Sequence, residues 1–121
     1  MAILPFEANV RQAGNAAVLD MRGEIDGFAE RALNTAYAQA TEGKAQAVVL
    51  NFRDVNYINS TGIALIVGLL AQARKSGSRL LTFGLSDHYV EIFKITRLSD
   101  FMNIFADEAS ALASATGGNN A

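Results

Sequence analysis

Residues 48–62 read VVLNFRDVNYINSTG, and this stretch decides the fold class. Residues 47–50 form a short apolar run with two β-branched valines, which predicts a strand buried on both faces. Residues 53–59 predict a loop, and residues 61–75 predict a helix that ends at Ser76-Gly77. A buried strand followed by a helix is typical of an α/β fold.

The N-terminal side predicts an antiparallel hairpin and a helix. Residues 6–11 and 17–22 alternate between apolar and polar side chains around a Gly14-Asn15 turn. Residues 23–27 break that pattern and predict a second loop. A helix is predicted from there to about residue 41, with Gly43 just past its end. Its helically spaced apolar residues are Phe28, Ala32, Ala36 and Ala40, with Leu33 and Tyr37 beside them.

The C-terminal side continues the alternation of strands and helices. Residues 80–83 and 101–105 predict strands, and residues 87–94 and 107–115 predict helices. We therefore expect a mixed β-sheet, with an N-terminal antiparallel hairpin followed by parallel strands, and helices packed on it. The predicted organisation is one domain over residues 1–116 and a flexible tail over 117–121.

Composition excludes several classes of protein. The 121 residues contain no Cys and one His, so disulfides, thiolate zinc sites and imidazole-rich metal sites are not expected. The ten basic and twelve acidic residues are scattered, which argues against nucleic-acid binding. The N-terminus lacks a secretory signal, and the apolar run at 63–71 is far shorter than the about 20 residues that span a bilayer. We expect a cytoplasmic protein without cofactor, metal or membrane insertion.

The two predicted loops, 23–27 and 53–62, follow strands, and ligands of α/β sheets gather at the carboxyl ends of strands. The second loop contains Asn59, Ser60, Thr61 and Gly62 in succession. One interpretation is structural: Asn59 or Ser60 caps the next helix, and Gly62 permits close packing. The other interpretation is that the motif has a function beyond capping, because a cap needs one small polar residue and this motif has three in succession.

The helix after this motif has no polar face between residues 63 and 71. Neighbouring helices, a second copy in a weak homodimer, or a partner protein could cover it. A phosphate on Ser60 adds about −1.5 to −2 charges. The helix N-terminus tolerates that charge, whereas an apolar docking contact does not. The pattern thus favours protein–protein interaction controlled by phosphorylation.

The chain resembles the STAS domain of bacterial anti-sigma factor antagonists. The resemblance is carried by Gly23-Glu24-Ile25-Asp26, residues 48–62, Ile92-Phe93-Lys94-Ile95 and Leu98, and it extends over about residues 5–112. It implies a regulator of transcription that is not an enzyme. Its unphosphorylated form binds an anti-sigma serine kinase, which phosphorylates it, and a phosphatase resets the switch.

The resemblance also implies the site residues. The phosphorylated serine corresponds to Ser60, with Thr61 as the second choice. The residues expected to form the partner-binding surface are Gly23, Glu24, Ile25, Asp26, Asn59, Ser60, Thr61, Gly62, Ile63 and Ile66. Two positions depart from the family pattern. Asn59 stands where the family's Asp-Ser-(Ser/Thr)-Gly motif has Asp, and Arg97 stands where many relatives have Gly.

Other functions fit the residues less well. A non-phosphorylated STAS docking module, such as an accessory subunit of a membrane lipid transporter ATPase, is the main alternative, and Asn59 favours it. An enzyme would need a base beside Ser60, and the chain offers only His88 or the carboxylates of Asp26 and Asp54. Nucleotide binding lacks a glycine-rich phosphate loop with a lysine.

Overall fold

The computed structural model describes residues 4–42 and 45–117, which form a five-stranded sheet and four α-helices. The strands are β1 (Glu7–Ala13), β2 (Ala16–Ile25), β3 (Ala47–Ile58), β4 (Arg79–Phe83) and β5 (Asn103–Phe105). The helices are α1 (Glu30–Glu42), α2 (Ser60–Ser76), α3 (Asp87–Ile95) and α4 (Glu108–Gly117). Short 3-10 turns precede α1, at Gly27–Ala29, and β5, at Leu98–Asp100.

The sheet has the strand order β1-β2-β3-β4-β5. β1 and β2 are antiparallel and joined by the Gly14-Asn15 turn, and every later pair is parallel. The predicted mixed sheet with an N-terminal hairpin is therefore confirmed. Because β2 and β3 are parallel neighbours, their carboxyl ends and the segments that follow lie side by side.

Helices cover both faces of the sheet. One core lies between the sheet and α1, α2 and α3, and includes Leu19, Leu50, Ile66 and Phe93. A smaller core lies between the opposite face and α4, where Val18, Val49 and Phe83 meet Ala111 and Ala115. β3 contributes to both cores, as expected of a strand buried on both faces.

The predicted loops at 23–27 and 53–59 are wrong for most of their length. β2 continues to Ile25 and β3 to Ile58, and the two strands stay paired through Glu24↔Tyr57 and Ile25↔Ile58. The residues at 53, 54, 56 and 57 are exposed. The apolar pattern of β3 therefore ends before its hydrogen-bonded pairing with β2 does. This is why the sequence of the second half of the strand resembles a loop.

The N-terminal boundary of α1 also differs from the prediction. Phe28 belongs to the 3-10 turn and is 97% exposed, and Ala32 is exposed as well. The buried stripe starts at Ala29, the last residue of the 3-10 turn, and continues in α1 with Leu33, Ala36, Tyr37 and Ala40. The apolar stripe thus starts one residue later than predicted.

The remaining differences lie near the C-terminus. The last strand starts at Asn103, and Phe101, predicted in that strand, lies before it and is 56% exposed. Gly117 is the last residue of α4, while Gly43 and residues 118–121 of the predicted tail lie outside the described residues. Within the described parts of the chain, no helix is long and apolar enough to cross a membrane.

Candidate functional site

The candidate site lies where β2 and β3 end next to each other. Asp26 alone separates β2 from the 3-10 turn, and Asn59 alone separates β3 from α2. The Asn59 backbone N–H donates to the Ile25 carbonyl at 3.2 Å, which ties the two strand ends together. The Ile58 N–H donates to the buried hydroxyl of Tyr89 in α3 at 2.9 Å. The end of β3 is therefore held from two sides.

Asn59 is the N-cap of α2. Its side-chain Oδ1 accepts a hydrogen bond from the Gly62 N–H at 2.8 Å, and its backbone carbonyl accepts from the Ile63 N–H at 2.9 Å. Of the two capping residues that the sequence allows, the structure thus uses Asn59. Ser60 is released from capping and occupies the first helical position.

Gly62 allows α2 to start directly against the end of β2. A Cβ atom at this position would lie 2.8 Å from the carbonyl carbon of Ile25 and closer still to its oxygen. Real Cβ atoms essentially never approach other atoms within 3.0 Å. Only glycine fits there without moving the backbone, so the predicted close packing is confirmed.

The Ser60 side chain has no structural task. Ser60 and Thr61 are exposed, and among the described residues the Ser60 hydroxyl has no hydrogen-bond partner. The hydroxyl sits at the N-terminus of a 17-residue helix, where the backbone N–H groups favour negative charge. The position therefore suits a group that can acquire and lose a phosphate.

The predicted partner-binding residues separate into two groups. Glu24, Asp26, Asn59 and Ile63 are half-buried and contribute to the surface together with Ser60 and Thr61. The prediction that all ten contact a partner needs correction, because four are buried in the fold. These four are Gly23, Ile25, Gly62 and Ile66.

The acidic residues considered beside Ser60 are not hydrogen-bonded to it and have places of their own in the fold. Asp26 accepts a hydrogen bond from the Phe28 N–H at 2.9 Å and caps the 3-10 turn, so it performs turn chemistry. Asp54 pairs with Arg22 in the sheet. It is four residues before Ile58, about 13 Å along the strand. Neither carboxylate is therefore a hydrogen-bond partner of the Ser60 hydroxyl among the described residues.

The sequence interpretation missed two exposed aromatic residues at this edge. Phe28 follows directly on Asp26 and Gly27, and the position of a Gly27 Cβ would lie 3.6 Å from the Thr61 methyl group. Tyr57, predicted in the loop at 53–59, is 50% exposed and pairs with Glu24 in the sheet. Phe28 could have been recognised because it lies one residue outside the apolar stripe of α1.

The outward face of α2 is exposed even though it is mostly apolar. Ile66, Leu69, Leu70 and Ala73 face the core. The opposite face is formed by Ser60, Ala64, Val67, Gly68 and Ala71, all of which are exposed. We call these five residues the outer stripe. Neighbouring helices do not cover it within the described residues, so one of the explanations considered from the sequence is ruled out for this part of the chain.

A second polar cluster lies on the α4 face of the sheet. The Arg11 guanidinium bonds to Asp20 and Glu108, and the Asn51 side-chain amide donates to Asp20 at 2.8 Å. The bonds from Arg11 hold the pKa values of both carboxyl groups below their usual range. This network ties β1, β2 and α4 together. Among the described residues, no group of His, Asp and Glu side chains could hold a metal ion.

Comparison with known proteins agrees with this architecture. The family model of the STAS domain matches residues 7–111. The chain belongs to the STAS domain family. The structure and the family match thus confirm the expected family and its fold.

Three relatives show how far the similarity extends. The anti-sigma-B factor antagonist of Bacillus subtilis is 31% identical over 101 residues, which is 84% of this chain and 92% of the relative. The crystal structure of an anti-sigma factor antagonist from Mycobacterium paratuberculosis has a TM-score of 0.80 at 17% identity, with 93% and 95% of the two chains covered. The phosphorylated form of the Bacillus cell fate determinant SpoIIAA has a TM-score of 0.68 at 19% identity, with 88% and 96% covered.

Proposed function

We propose that this STAS domain is an anti-sigma factor antagonist that works by phosphorylation-regulated partner switching, with Ser60 as the phosphorylated residue. The observation that carries the proposal is the exposed Ser60 hydroxyl without a hydrogen-bond partner among the described residues, at the start of the apolar outer stripe. The unphosphorylated chain binds an anti-sigma serine kinase through the surface around Ser60. Binding of the antagonist releases the sigma factor, and a phosphatase restores the binding form.

The local chemistry supports a switch that leaves the fold intact. A phosphate on Ser60 places about −1.5 to −2 charges beside the first N–H groups of α2, which stabilise an anion. The same charge would stand beside the exposed Ala64, one turn further along the outer stripe. Desolvating it in a docking contact without a partner is costly, so the kinase binds more weakly while the domain stays folded.

The relatives support the identity of the partner. Curated relatives with 29 to 33% identity are named anti-sigma-B factor antagonists. A protein with the same fold, SpoIIAA, has been solved in a phosphorylated form. An exposed hydroxyl and an uncovered apolar stripe are the features that such a protein requires.

The test uses the anti-sigma kinase from the same host, ATP and purified variants. After incubation, mass spectrometry should find phosphate on Ser60, and Ser60→Ala should acquire none. In calorimetric titrations without ATP, Ser60→Asp should bind the kinase at least about tenfold more weakly than wild type, a difference of about 1.4 kcal/mol. Thr35→Asp, an exposed position on α1, is the matched charge control and should bind normally. Phosphate on another residue, or unchanged binding by Ser60→Asp, contradicts the proposal.

A second candidate function is a docking module that is not phosphorylated, such as a subunit bound to a transporter ATPase. Asn59 favours the docking module, because it caps α2 with a side-chain amide where the family's phosphorylation motif has the carboxylate of Asp. In that case wild type, Ser60→Ala and Ser60→Asp should capture the same ATPase from the host equally well. Capture that depends on Ser60 excludes the docking module.

A further inference from the structure

A groove of about 280 Å³ lies at the far end of the outer stripe, between α2 and the turn after α3. Val67, Leu70 and Ala71 form one wall, and Phe101 forms part of the other. Val67 is 46% exposed and Phe101 is 56% exposed, so apolar surface of both residues faces the solvent. We call this feature the α2–α3 groove.

The charges that line the α2–α3 groove have one sign. Arg74 and Arg97 are its charged lining residues, although the whole chain has a net charge of −2. The Arg74 guanidinium carbon lies 5.1 Å from the centre of the Phe101 ring, and within the described residues no carboxylate pairs with it. Arg97 pairs with Asp100, yet its side chain stays 79% exposed. Both guanidinium groups can therefore receive a carboxylate from outside.

Arg97 holds a backbone conformation that suits glycine. Its φ is 69° and its ψ is 11°, and it has the only positive φ of a non-glycine residue in the described parts of the chain. Side chains at such positions are strained, and strained residues cluster at functional sites. The strained backbone places a guanidinium group, which glycine would not supply, beside the α2–α3 groove.

We propose that the α2–α3 groove binds an acidic amphipathic helix of the partner protein. An apolar side chain of that helix fits between Val67 and Phe101, and flanking carboxylates pair with Arg74 and Arg97. The apolar walls and the two cations supply the two kinds of contact that such a helix needs. A basic helix is disfavoured by the same charges.

This inference rests on the proposed function, which makes the partner a protein. It adds a second contact with that partner, one that does not respond to phosphorylation of Ser60. Ser60 and Arg74, the cation on α2 that lines the groove, are fourteen residues apart on one helix, which is about 21 Å. That distance is more than twice the screening length of about 8 Å at physiological ionic strength. A phosphate on Ser60 therefore disrupts one end of the docking surface and leaves the α2–α3 groove able to bind.

The experiment is a titration of the full, isotope-labelled chain with a synthetic helical peptide of Leu and Glu, about 15 residues long and therefore about four helical turns, followed by NMR. The control peptide has Lys in place of each Glu. We expect the acidic peptide to shift the amide signals of Val67, Ala71 and Phe101, and the basic peptide to leave them unchanged. Arg74→Glu should weaken binding at least about tenfold. Lys75→Glu, the same charge change one residue away and outside the groove, should weaken it less than about twofold.

The outcomes separate this inference from the proposed function. Ser60→Asp should bind the acidic peptide as wild type does, even though it binds the kinase more weakly. Signals that do not move, equal binding of the basic peptide, or equal losses in Arg74→Glu and Lys75→Glu overturn the groove proposal and leave the Ser60 switch untouched. Circular dichroism of each variant confirms that it is folded.

Discussion

The replacement of Gly62 by alanine tests the packing that positions Ser60. In the wild-type chain the first turn of α2 touches the end of β2 through Gly62, and Gly68 in the same helix has nothing within 4 Å of its Cβ position. Gly62→Ala and Gly68→Ala therefore make the same chemical change on one helix. The methyl group added at position 62 collides with the backbone of Ile25, whereas the one added at position 68 extends into open space.

The magnitudes follow from these contacts. The methyl carbon that Gly62→Ala adds has to recede from 2.8 Å to at least 3.4 Å from the Ile25 carbonyl carbon. Overpacking against a backbone costs about 3 kcal/mol. The hydrogen bond from Asn59 to Ile25 is stretched as well, which loses about 1 kcal/mol. The higher helix propensity of alanine returns about 1 kcal/mol. We expect Gly62→Ala to lose about 3 kcal/mol and Gly68→Ala to gain up to about 1 kcal/mol.

Thermal and urea unfolding of the three proteins measure these differences. For a chain of this size 1 kcal/mol corresponds to about 4 °C. We therefore expect Gly62→Ala to unfold about 12 °C below wild type and Gly68→Ala to unfold at or slightly above it. If Gly62→Ala were as stable as Gly68→Ala, the close approach of α2 to β2 would not exist, and the position of Ser60 at the end of β2 would lose its explanation.

Three further predictions concern the cap, the turn and the polar cluster. Asn59→Ala should lower the unfolding free energy in urea by about 1 kcal/mol, because it removes the N-cap of α2. Arg97→Gly should raise it by about 1 kcal/mol, because glycine relieves the positive φ; no gain would refute the strain. Since the Asp20 and Glu108 pKa values are lowered in the folded chain, their contribution is present above about pH 4 and is lost as pH falls through the folded-state values. Unfolding midpoints of Arg11→Gln should therefore depend less on pH than those of wild type between about pH 5 and 2.

Much of the fold could be predicted because burial and periodicity coincide in it. The hairpin, the buried half of β3 and the span of α2 all follow from patterns that the core imposes on their side chains. The outer half of β3 could not be predicted in this way. Its residues from Arg53 to Tyr57 are mostly exposed, so only the backbone ladder to β2 defines the strand. A ladder between distant segments leaves no local sign in either sequence.

The sequence indicates a candidate site more readily than the surroundings of that site. The Asn-Ser-Thr-Gly motif points to one edge of the sheet, whereas the exposure of Phe28 and the burial of Ile66 depend on where α1 and α2 begin. A shift of one residue rotates a helix position by about 100°, which is enough to move a side chain off the inner face. Assignments of contact residues on a helix are therefore decided by its first turn.

Two of the four residues of the Asn-Ser-Thr-Gly motif stabilise the fold, and the other two have no structural role. Asn59 caps α2 and Gly62 lets it approach β2, so packing and hydrogen bonding account for both. Since asparagine and aspartate cap helices about equally well, the exchange at position 59 leaves this account unchanged. Ser60 and Thr61 remain exposed, and the fold does not explain two adjacent hydroxyl groups at the end of an apolar stripe. Under the proposed function, a phosphate on one of them would alter what the surface binds without altering what holds the domain together.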